Sequence, residues 1–416
     1  MSRHRSLVPL LAVTLLAVGA APIAGQDAAA SCTAPSLSTD VPALPGGTEA
    51  LNGPQPGPAP TGTPILCWTG TDGGAVLGTR AFIVGQEVLT LTDAGDAIAF
   101  APDGTEIWRV NLVPEGNGML GGLATDGTTI YVGTPTGLVA LSAVDGSTLW
   151  TFAIDPGPQA ALAGVYSPVI AGSSVIASVY SSDSRRSLDR QLIALDRSTG
   201  SQVWAQELSP GQPAGPLTAD ATTVAVVEGD NTLVLRDVVT GDDQLRVAVE
   251  DLGNATVTPV VLTRDDLIVG LAGGTVTTRT RADGTERWSM ATSSRMVASI
   301  TVNGAFAFVN GVTTLYAVDA GTGAPAWEAP IQDSPPPFAY QPIPAVVDGL
   351  VIVGTTDINA TGAVQAFDAA SGAQVWRIDV DMYGAIFSPV VAGERIYAPS
   401  FDLVGSGGLL AFGMPG

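Results

Sequence analysis

Short apolar runs alternate with polar turns along almost the whole chain after residue 65. The segments Val175–Val179, Leu350–Val353 and Ile396–Ala398 are examples, because each is rich in apolar or β-branched residues and is bounded by Gly, Asp or Ser. Runs of this length and composition predict β-strands that end in tight turns. No long apolar stretch with the 3.6-residue spacing of a helix follows the N-terminal segment. The pattern therefore predicts an all-β protein.

A recurring motif divides these runs into repeats. Its clearest copy runs from Ala194 to Gly200 (ALDRSTG), and Trp204 follows four residues after the glycine. Related copies precede five more tryptophans and one leucine that stands in for a missing tryptophan, namely Trp108, Trp150, Leu245, Trp288, Trp327 and Trp376. The average period is about 44 residues, which is the length of a β-propeller blade.

The last repeat is incomplete, and the first strand of the chain can complete it. The motif's alanine recurs at Ala411, but the chain ends at Gly416 before a further strand and tryptophan. The segment Ile65–Trp68 supplies both. We therefore predict an eight-bladed β-propeller of four-stranded blades over residues 65–416, closed by the N-terminal strand, which completes the C-terminal blade.

The repeats resemble the PQQ-like (pyrroloquinoline-quinone-type) repeat family, whose motif reads Ala-x-Asp-x-x-Thr-Gly-x-x-x-Trp. The resemblance covers roughly residues 65–412. The family includes quinoprotein dehydrogenases and the propeller lipoprotein of the outer-membrane assembly machine, so the motif is specific for architecture more than for activity. The resemblance implies that one residue per blade docks that blade onto its neighbour: Trp68, Trp108, Trp150, Trp204, Leu245, Trp288, Trp327 and Trp376.

The N-terminal residues predict export. Arg3 and Arg5 precede an apolar run from Leu7 to Ala21, and small residues follow. This order is typical of a signal peptide over residues 1–30, with cleavage between 20 and 30, and an uncleaved anchor is the alternative. Residues 31–64 are rich in Pro and Gly and predict an extended arm. We expect a secreted or periplasmic protein whose mature chain has no transmembrane segment.

Cys32 and Cys67 are the two cysteines of the chain. An even number of cysteines in an exported protein predicts a disulfide, which here would tie the arm to the first strand of the propeller. Lipid anchoring at Cys32 is the alternative. It is disfavoured because Ala29-Ala30-Ser31 is a poor lipidation signal.

Composition excludes several kinds of chemistry. The chain has no lysine, and its only histidine, His4, lies within the predicted signal peptide. Ser-His-Asp triads, histidine-bound metals and Schiff-base lysines are therefore excluded from the mature chain. The formal net charge of −22 argues against nucleic acid and anionic membrane surfaces as partners.

Additional residues accumulate on one face of the predicted propeller. In a four-stranded blade, the connection between the second and third strands lies on the same face as the connection to the next blade. The longest such connections are Tyr180–Arg190, Glu328–Pro342, Asp357–Gly362 and Phe401–Gly407. We call this surface the long-loop face. Loops on a rigid scaffold commonly carry function.

Aromatic residues and arginines on the long-loop face predict a recognition surface. The alternative is a set of solvated loops with some packed aromatics. The candidate recognition residues are Tyr180, Arg185, Arg186, Arg190, Phe338, Tyr340, Tyr383 and Phe401, with Tyr166 beside them. Asp379 and Asp381 are weak candidates for a calcium site, because no dense loop of oxygen ligands surrounds them.

The sequence favours a non-catalytic propeller that binds a protein, peptide or glycan of the cell envelope, without a cofactor and as a monomer. The alternative is an oxidoreductase that uses PQQ and calcium. The resemblance implies that such enzymes are longer and carry adjacent cysteines at the cofactor, whereas Cys32 and Cys67 are far apart. A hydrolase or lyase that uses carboxylates is a third hypothesis, for which no motif is present.

Overall fold

The structure, a computed structural model, describes residues 32–33, 55, 57–71, 81–113, 120–155, 160–183, 188–209, 216–228, 231–249, 260–294, 296–333, 342–357, 359, 361–402 and 408–416. At residues 71, 160–162, 182–183, 188–189, 272, 381–385 and 401–402 it describes the backbone alone. The predicted signal peptide and most of the arm lie outside these residues.

Short apolar runs form strands throughout, as the sequence pattern predicts. The first half of the propeller contains β1 (Ile65–Thr71); blade 1 with β2 (Phe82–Val84), β3 (Glu87–Leu91), β4 (Asp96–Phe100) and β5 (Glu106–Asn111); blade 2 with β6 (Leu123–Thr125), β7 (Thr129–Thr134), β8 (Gly137–Ser142) and β9 (Thr148–Ala153); blade 3 with β10 (Ala160–Ala171), β11 (Ser174–Asp183), β12 (Leu188–Asp196) and β13 (Gln202–Glu207); and blade 4 with β14 (Thr218–Ala219), β15 (Thr223–Val227), β16 (Thr232–Asp237) and β17 (Asp243–Ala248).

The second half repeats this order, with one short 3₁₀ turn at Ala272–Gly274. It contains blade 5 with β18 (Val261–Leu262), β19 (Asp266–Gly270), β20 (Thr275–Thr280) and β21 (Glu286–Ala291); blade 6 with β22 (Ser299–Asn303), β23 (Phe306–Asn310), β24 (Thr314–Asp319) and β25 (Pro325–Pro330); blade 7 with β26 (Ala345–Val347), β27 (Leu350–Thr356), β28 (Thr361–Asp368) and β29 (Gln374–Ile386); and blade 8 with β30 (Val390–Ala392), β31 (Arg395–Asp402) and β32 (Gly408–Gly413).

The blades form an eight-bladed propeller, which confirms the predicted fold. Neighbouring strands within a blade are antiparallel, and the innermost strands of successive blades contact one another. β1 pairs with β32, from Ile65 opposite Gly413 to Thr71 opposite Gly408, so the N-terminal strand completes blade 8 as predicted. β29 extends beyond blade 7, and Gly384 to Ile386 pair with β31 of blade 8. Blades 7 and 8 are therefore joined into one sheet, which the repeat pattern does not reveal.

The tryptophan of each motif bridges two blades. Trp204 lies opposite Ala194 in its own blade, and its indole N–H donates to the carbonyl oxygen of Val238 in the turn of the next blade at 3.1 Å. The same bond joins five other pairs: Trp68 to Pro102, Trp108 to Ala143, Trp150 to Arg197, Trp288 to Ala320 and Trp327 to Ala369. These six indoles thus fix the spacing between neighbouring blades, whereas the indole N–H of Trp376 has no acceptor among the described residues.

The glycine of the motif is required by its turn and by the indole above it. Gly200 has a φ of +72°, a conformation that side chains disfavour. A Cβ atom at Gly200 would lie 2.5 Å from Cε3 of Trp150, so the indole occupies the space of the missing side chain. The equivalent Gly284 of blade 5 instead faces Val247, because blade 4 carries Leu245 where other blades have tryptophan.

The N-terminal arm is attached to blades 7 and 8 on the face opposite the long loops. The amide of Gln55 donates to the carbonyl oxygen of Val346 at 2.7 Å, and that of Ala59 donates to the Asp348 carboxylate at 2.9 Å. Cys32 and Cys67 form the predicted disulfide. This bond links the start of the arm to β1, the strand that closes the ring.

Candidate functional site

The long-loop face is built from the connections between second and third strands and between blades. The structure describes the predicted recognition residues of this face to different extents. Arg185, Arg186, Phe338 and Tyr340 lie outside the described residues, and Tyr383 and Phe401 are described by their backbone alone. The remaining predicted residues, Tyr166, Tyr180 and Arg190, come together on blade 3.

Tyr166 and Tyr180 form a stacked pair on the inner half of blade 3. Their ring centroids lie 4.6 Å apart with an interplanar angle of 20°. The Tyr180 hydroxyl donates to the Tyr166 hydroxyl at 2.9 Å. Burial, and then the hydrogen bond from Tyr180, raise the pKa of Tyr166 above its usual value. Both rings are half-buried, so each keeps part of its surface available for contact.

The backbone of blade 2 holds this pair in place. A Cβ atom at Gly121 would lie 2.0 Å from the Val165 carbonyl oxygen, and one at Gly133 would lie 2.2 Å from it. The Ser167 amide donates to the Gly121 carbonyl oxygen at 2.7 Å, and Ser167 has a φ of +49° in a bulge of β10. Bulges commonly re-aim neighbouring side chains. The glycines thus allow an approach of two backbones that positions Tyr166.

Arg190 lies beside the tyrosine pair on β12. It is directly opposite Tyr180 in the strand register, so the two side chains emerge from the same face of the sheet. Arg190 is 5% exposed, and this burial lowers the pKa of its guanidinium. Tyrosine and arginine are both enriched among the residues that dominate protein–protein interfaces.

Blade 4 contributes a buried ionic cluster that the sequence analysis missed. Glu228 accepts hydrogen bonds from Arg236 and Arg246, each at 2.8 Å, and from the Ser209 hydroxyl at 2.5 Å. Burial by itself raises the pKa of Glu228, but the hydrogen bonds from Arg246, Ser209 and Arg236 outweigh it and lower the pKa to about 2. The carboxylate is therefore ionised at neutral pH and clamps the connection between blades 3 and 4.

Of the two weak candidates for a calcium site, Asp379 and Asp381, only Asp379 has a described side chain. Asp379 accepts a hydrogen bond from Arg377 at 2.7 Å, and its side chain is 67% exposed. The side chain of Asp381 lies outside the described part of the structure. Within the described ranges, no three His, Cys, Asp or Glu residues are placed to hold a metal ion together.

Family membership follows from the repeats. Four overlapping matches, at residues 61–185, 93–252, 179–307 and 248–401, relate the chain to the PQQ-type repeat family described as outer membrane protein assembly factor BamB. The matches together span nearly the whole propeller. The chain belongs to this family. No curated protein matches the sequence.

Solved structures of BamB and of quinohemoprotein alcohol dehydrogenase have similar folds. BamB from Moraxella catarrhalis has a TM-score of 0.58 at 19% identity, over 80% of this chain and 93% of that one. Quinohemoprotein alcohol dehydrogenase from Comamonas testosteroni has a TM-score of 0.66 at 14% identity, over 85% and 78%. The computationally designed protein Ika8 has a TM-score of 0.62 at 12% identity, over 82% and 96%. These similarities show the fold alone.

Calcium takes six to eight oxygen ligands as a rule, and the side chains described in this BamB-family chain include no group of three carboxylates placed to hold one ion. Both cysteines are in the disulfide at the closing strand. In the same part of the chain, no helix is long and apolar enough to cross a bilayer.

Proposed function

We propose that the protein is a non-catalytic, extracytoplasmic scaffold of the cell envelope that binds a protein or peptide through the long-loop face at blades 3 and 4. The Tyr166–Tyr180 stack carries this proposal. Tyrosine provides a large, amphipathic contact surface at low entropic cost, and this pair is already held in one geometry by the blade 2 backbone. Binding then requires little ordering of the surface.

The elements around the stack support a recognition role. The two long inner strands of blade 3 carry the rings, Arg190 adds a buried cation, and the Glu228 cluster fixes blade 4 beside them. The family description names an outer membrane assembly factor, and the disulfide agrees with an oxidising compartment.

Photo-crosslinking tests this proposal. The protein carries p-benzoylphenylalanine at position 180 in one variant and at position 144 in the control, since Val144 is 78% exposed on the opposite face. In the cells that produce the protein, we expect position 180 to give a discrete crosslinked protein band that position 144 does not give. A band that appears equally from both positions, or from position 144 alone, would contradict the proposal. A crosslinked glycan would show that the partner is a glycan and not a protein or peptide.

Calorimetric titration with PQQ tests the alternative of a quinoprotein oxidoreductase. We expect no binding with or without calcium, because the described side chains include no group of three carboxylates placed to hold a calcium ion. Tight binding that depends on calcium would overturn the scaffold proposal and assign the protein to the oxidoreductases.

A further inference from the structure

A second candidate site is a cleft on the outer side of the propeller between blades 5 and 6. Its volume is about 190 Å³, and it is open to solvent on one side. Met290 and Thr292 form the blade 5 wall, while Tyr316, Ala326 and Glu328 form the blade 6 floor and wall. The cleft includes none of the blade 3 residues that form the tyrosine site described above, although Glu328 begins one of the long-loop connections.

The cleft exists because Thr292 replaces a larger aliphatic residue. The amide of Thr292 donates to a carbonyl oxygen in the turn between the second and third strands of its blade. The residues that make the equivalent bond in other blades are Leu112, Ile154, Leu208, Val249 and Ile331. Each of these five packs an aliphatic side chain at the position of Thr292. The Thr292 hydroxyl instead bonds to the Gly274 carbonyl oxygen at 2.7 Å, which leaves the space beside it unfilled.

Tyr316 gives the cleft a polar floor. Its hydroxyl hydrogen-bonds to the hydroxyls of Ser293 at 2.7 Å and Ser294 at 3.0 Å. Five other blades place an aliphatic residue at the equivalent register position, namely Ile98, Val139, Ile193, Val234 and Leu410. Gly311 makes room for the cluster, since its Cβ atom would lie 2.8 Å from Cε2 of Tyr316. Three hydroxyl groups therefore meet where most blades have an apolar contact.

Glu328 gives the cleft a negative charge. It lies directly opposite Tyr316 in the register and has no ion pair with any described residue. Three blades have arginine at the equivalent position, and each is neutralised by an acid: Arg109 by Asp96, Arg246 by Glu228 and Arg377 by Asp379. Blade 6 thus reverses the charge at this position and provides no cation for it within the described part of the chain.

We propose that this cleft binds an arginine side chain of a partner polypeptide. Its polar groups, the Glu328 carboxylate and the Ser293 and Tyr316 hydroxyls, can accept hydrogen bonds from several directions, and a guanidinium offers five N–H donors. Met290 and Ala326 provide apolar contact for the aliphatic stem. The net charge of −22 attracts basic partners over a longer range. This site is lined by residues of blades 5 and 6 and not by the tyrosine stack of blade 3, and it does not depend on the function proposed there.

Methyl NMR spectroscopy tests this inference. The chain contains six methionines, so a sample with ¹³C-labelled methionine methyl groups is simple to assign, and the Met290→Leu variant identifies the Met290 signal. On titration with N-acetyl-arginine amide, we expect saturable shifts of the Met290 methyl signal that weaken as salt is added. The neutral isostere N-acetyl-citrulline amide should bind at least threefold more weakly.

One variant and a matched control decide the role of the charge. Because Glu328 is exposed, we expect Glu328→Gln to weaken binding of the arginine probe about three- to fivefold. Glu207→Gln, an exposed acid on the equivalent outer strand of blade 3, should leave binding unchanged. Equal binding by Glu328→Gln and the unaltered protein, equal binding of citrulline, or no saturable shift would overturn the inference.

Further probes distinguish an arginine in a polypeptide from a free small cation. An acetylated Gly-Arg-Gly amide should bind at least as tightly as N-acetyl-arginine amide if a polypeptide is the ligand. Preferential binding of free spermidine would overturn the assignment to a polypeptide. The Tyr180→Ala variant should bind the arginine probe as tightly as the unaltered protein does. Failure of the proposed tyrosine site on blade 3 can therefore be distinguished from failure of the proposed arginine site.

Discussion

At the scale of single residues, the blade interfaces depend on a few large side chains set above glycines. Trp204 is 8% exposed, lies opposite Ala194, and reaches the turn of blade 4. Its neighbour Val203 is 51% exposed on the outer surface. Two adjacent apolar residues on one strand thus have different roles, because strand geometry places their side chains on opposite faces.

Truncation of Trp204 should destabilise the protein without removing a ligand contact. We expect Trp204→Ala to lower the free energy of unfolding by about 3–5 kcal/mol, because it leaves a cavity and an unpaired carbonyl at Val238. Denaturant unfolding followed by circular dichroism measures this. The matched control Val203→Ala should change stability by less than about 0.5 kcal/mol. Equal effects of the two variants would contradict the docking role.

Glu228 should make stability depend on acidic pH. Its pKa falls from 4.5 to about 2 on folding, so its interactions stabilise the protein fully above pH 4.5 and are lost as the pH falls through about 2. At pH 7 we expect Glu228→Gln to cost about 3 kcal/mol, because it breaks a buried ion pair while Asp243 still pairs with Arg236 and Arg246. Urea unfolding at several pH values should show this cost shrinking toward pH 2. A cost that does not vary with pH would exclude the ionic origin.

At the scale of elements, the sequence predicts what is local and repeated. The strands, the turn glycines and the completion of blade 8 by β1 all follow from the motif and its period. The Glu228 cluster, the cleft at Tyr316 and the continuation of β29 into blade 8 do not, because each depends on residues from different blades. Such contacts depend on the exact distance between sheets, and no motif encodes it. Tyr180 and Arg190 were predicted by position, whereas their stacking and burial required the structure.

The close approach of blades 2 and 3 should be sensitive to one added methyl group. We expect Gly121→Ala to destabilise the protein by about 1–3 kcal/mol, because its Cβ atom would meet the Val165 carbonyl oxygen and displace β10. Crosslinking from position 180 should fall as well. The control Gly85→Ala, with φ of +59° and nothing within 4 Å, should cost only about 1 kcal/mol and leave crosslinking intact. Unchanged crosslinking in Gly121→Ala would show that this contact does not position the side chain at residue 180.

At the scale of the whole molecule, the ring closes where the two ends of the chain meet. Blade 8 takes β30 to β32 from the C-terminal end and β1 from the N-terminal end. The disulfide, the hydrogen bond from Arg395 to the Thr33 carbonyl oxygen and the pairing of Cys32 with Pro415 all lie at this junction. Tryptophan docking holds the blades in pairs, whereas these contacts hold the circle closed.

Removal of the disulfide should therefore loosen blade 8 in particular. The bond spans 35 residues, and we expect the double variant Cys32→Ser/Cys67→Ser to lose about 3–4 kcal/mol of stability. Hydrogen–deuterium exchange should accelerate more in Ile65–Thr71 and Gly408–Gly413 than in Phe306–Asn310 of blade 6, because an open ring frays first at its closing strand. Trp204→Ala provides the comparison, since it lowers stability at a distant interface and should not single out β1. If the double variant accelerates exchange evenly in all blades, the disulfide acts on the unfolded chain alone, and the ring is held closed by β1 pairing without it.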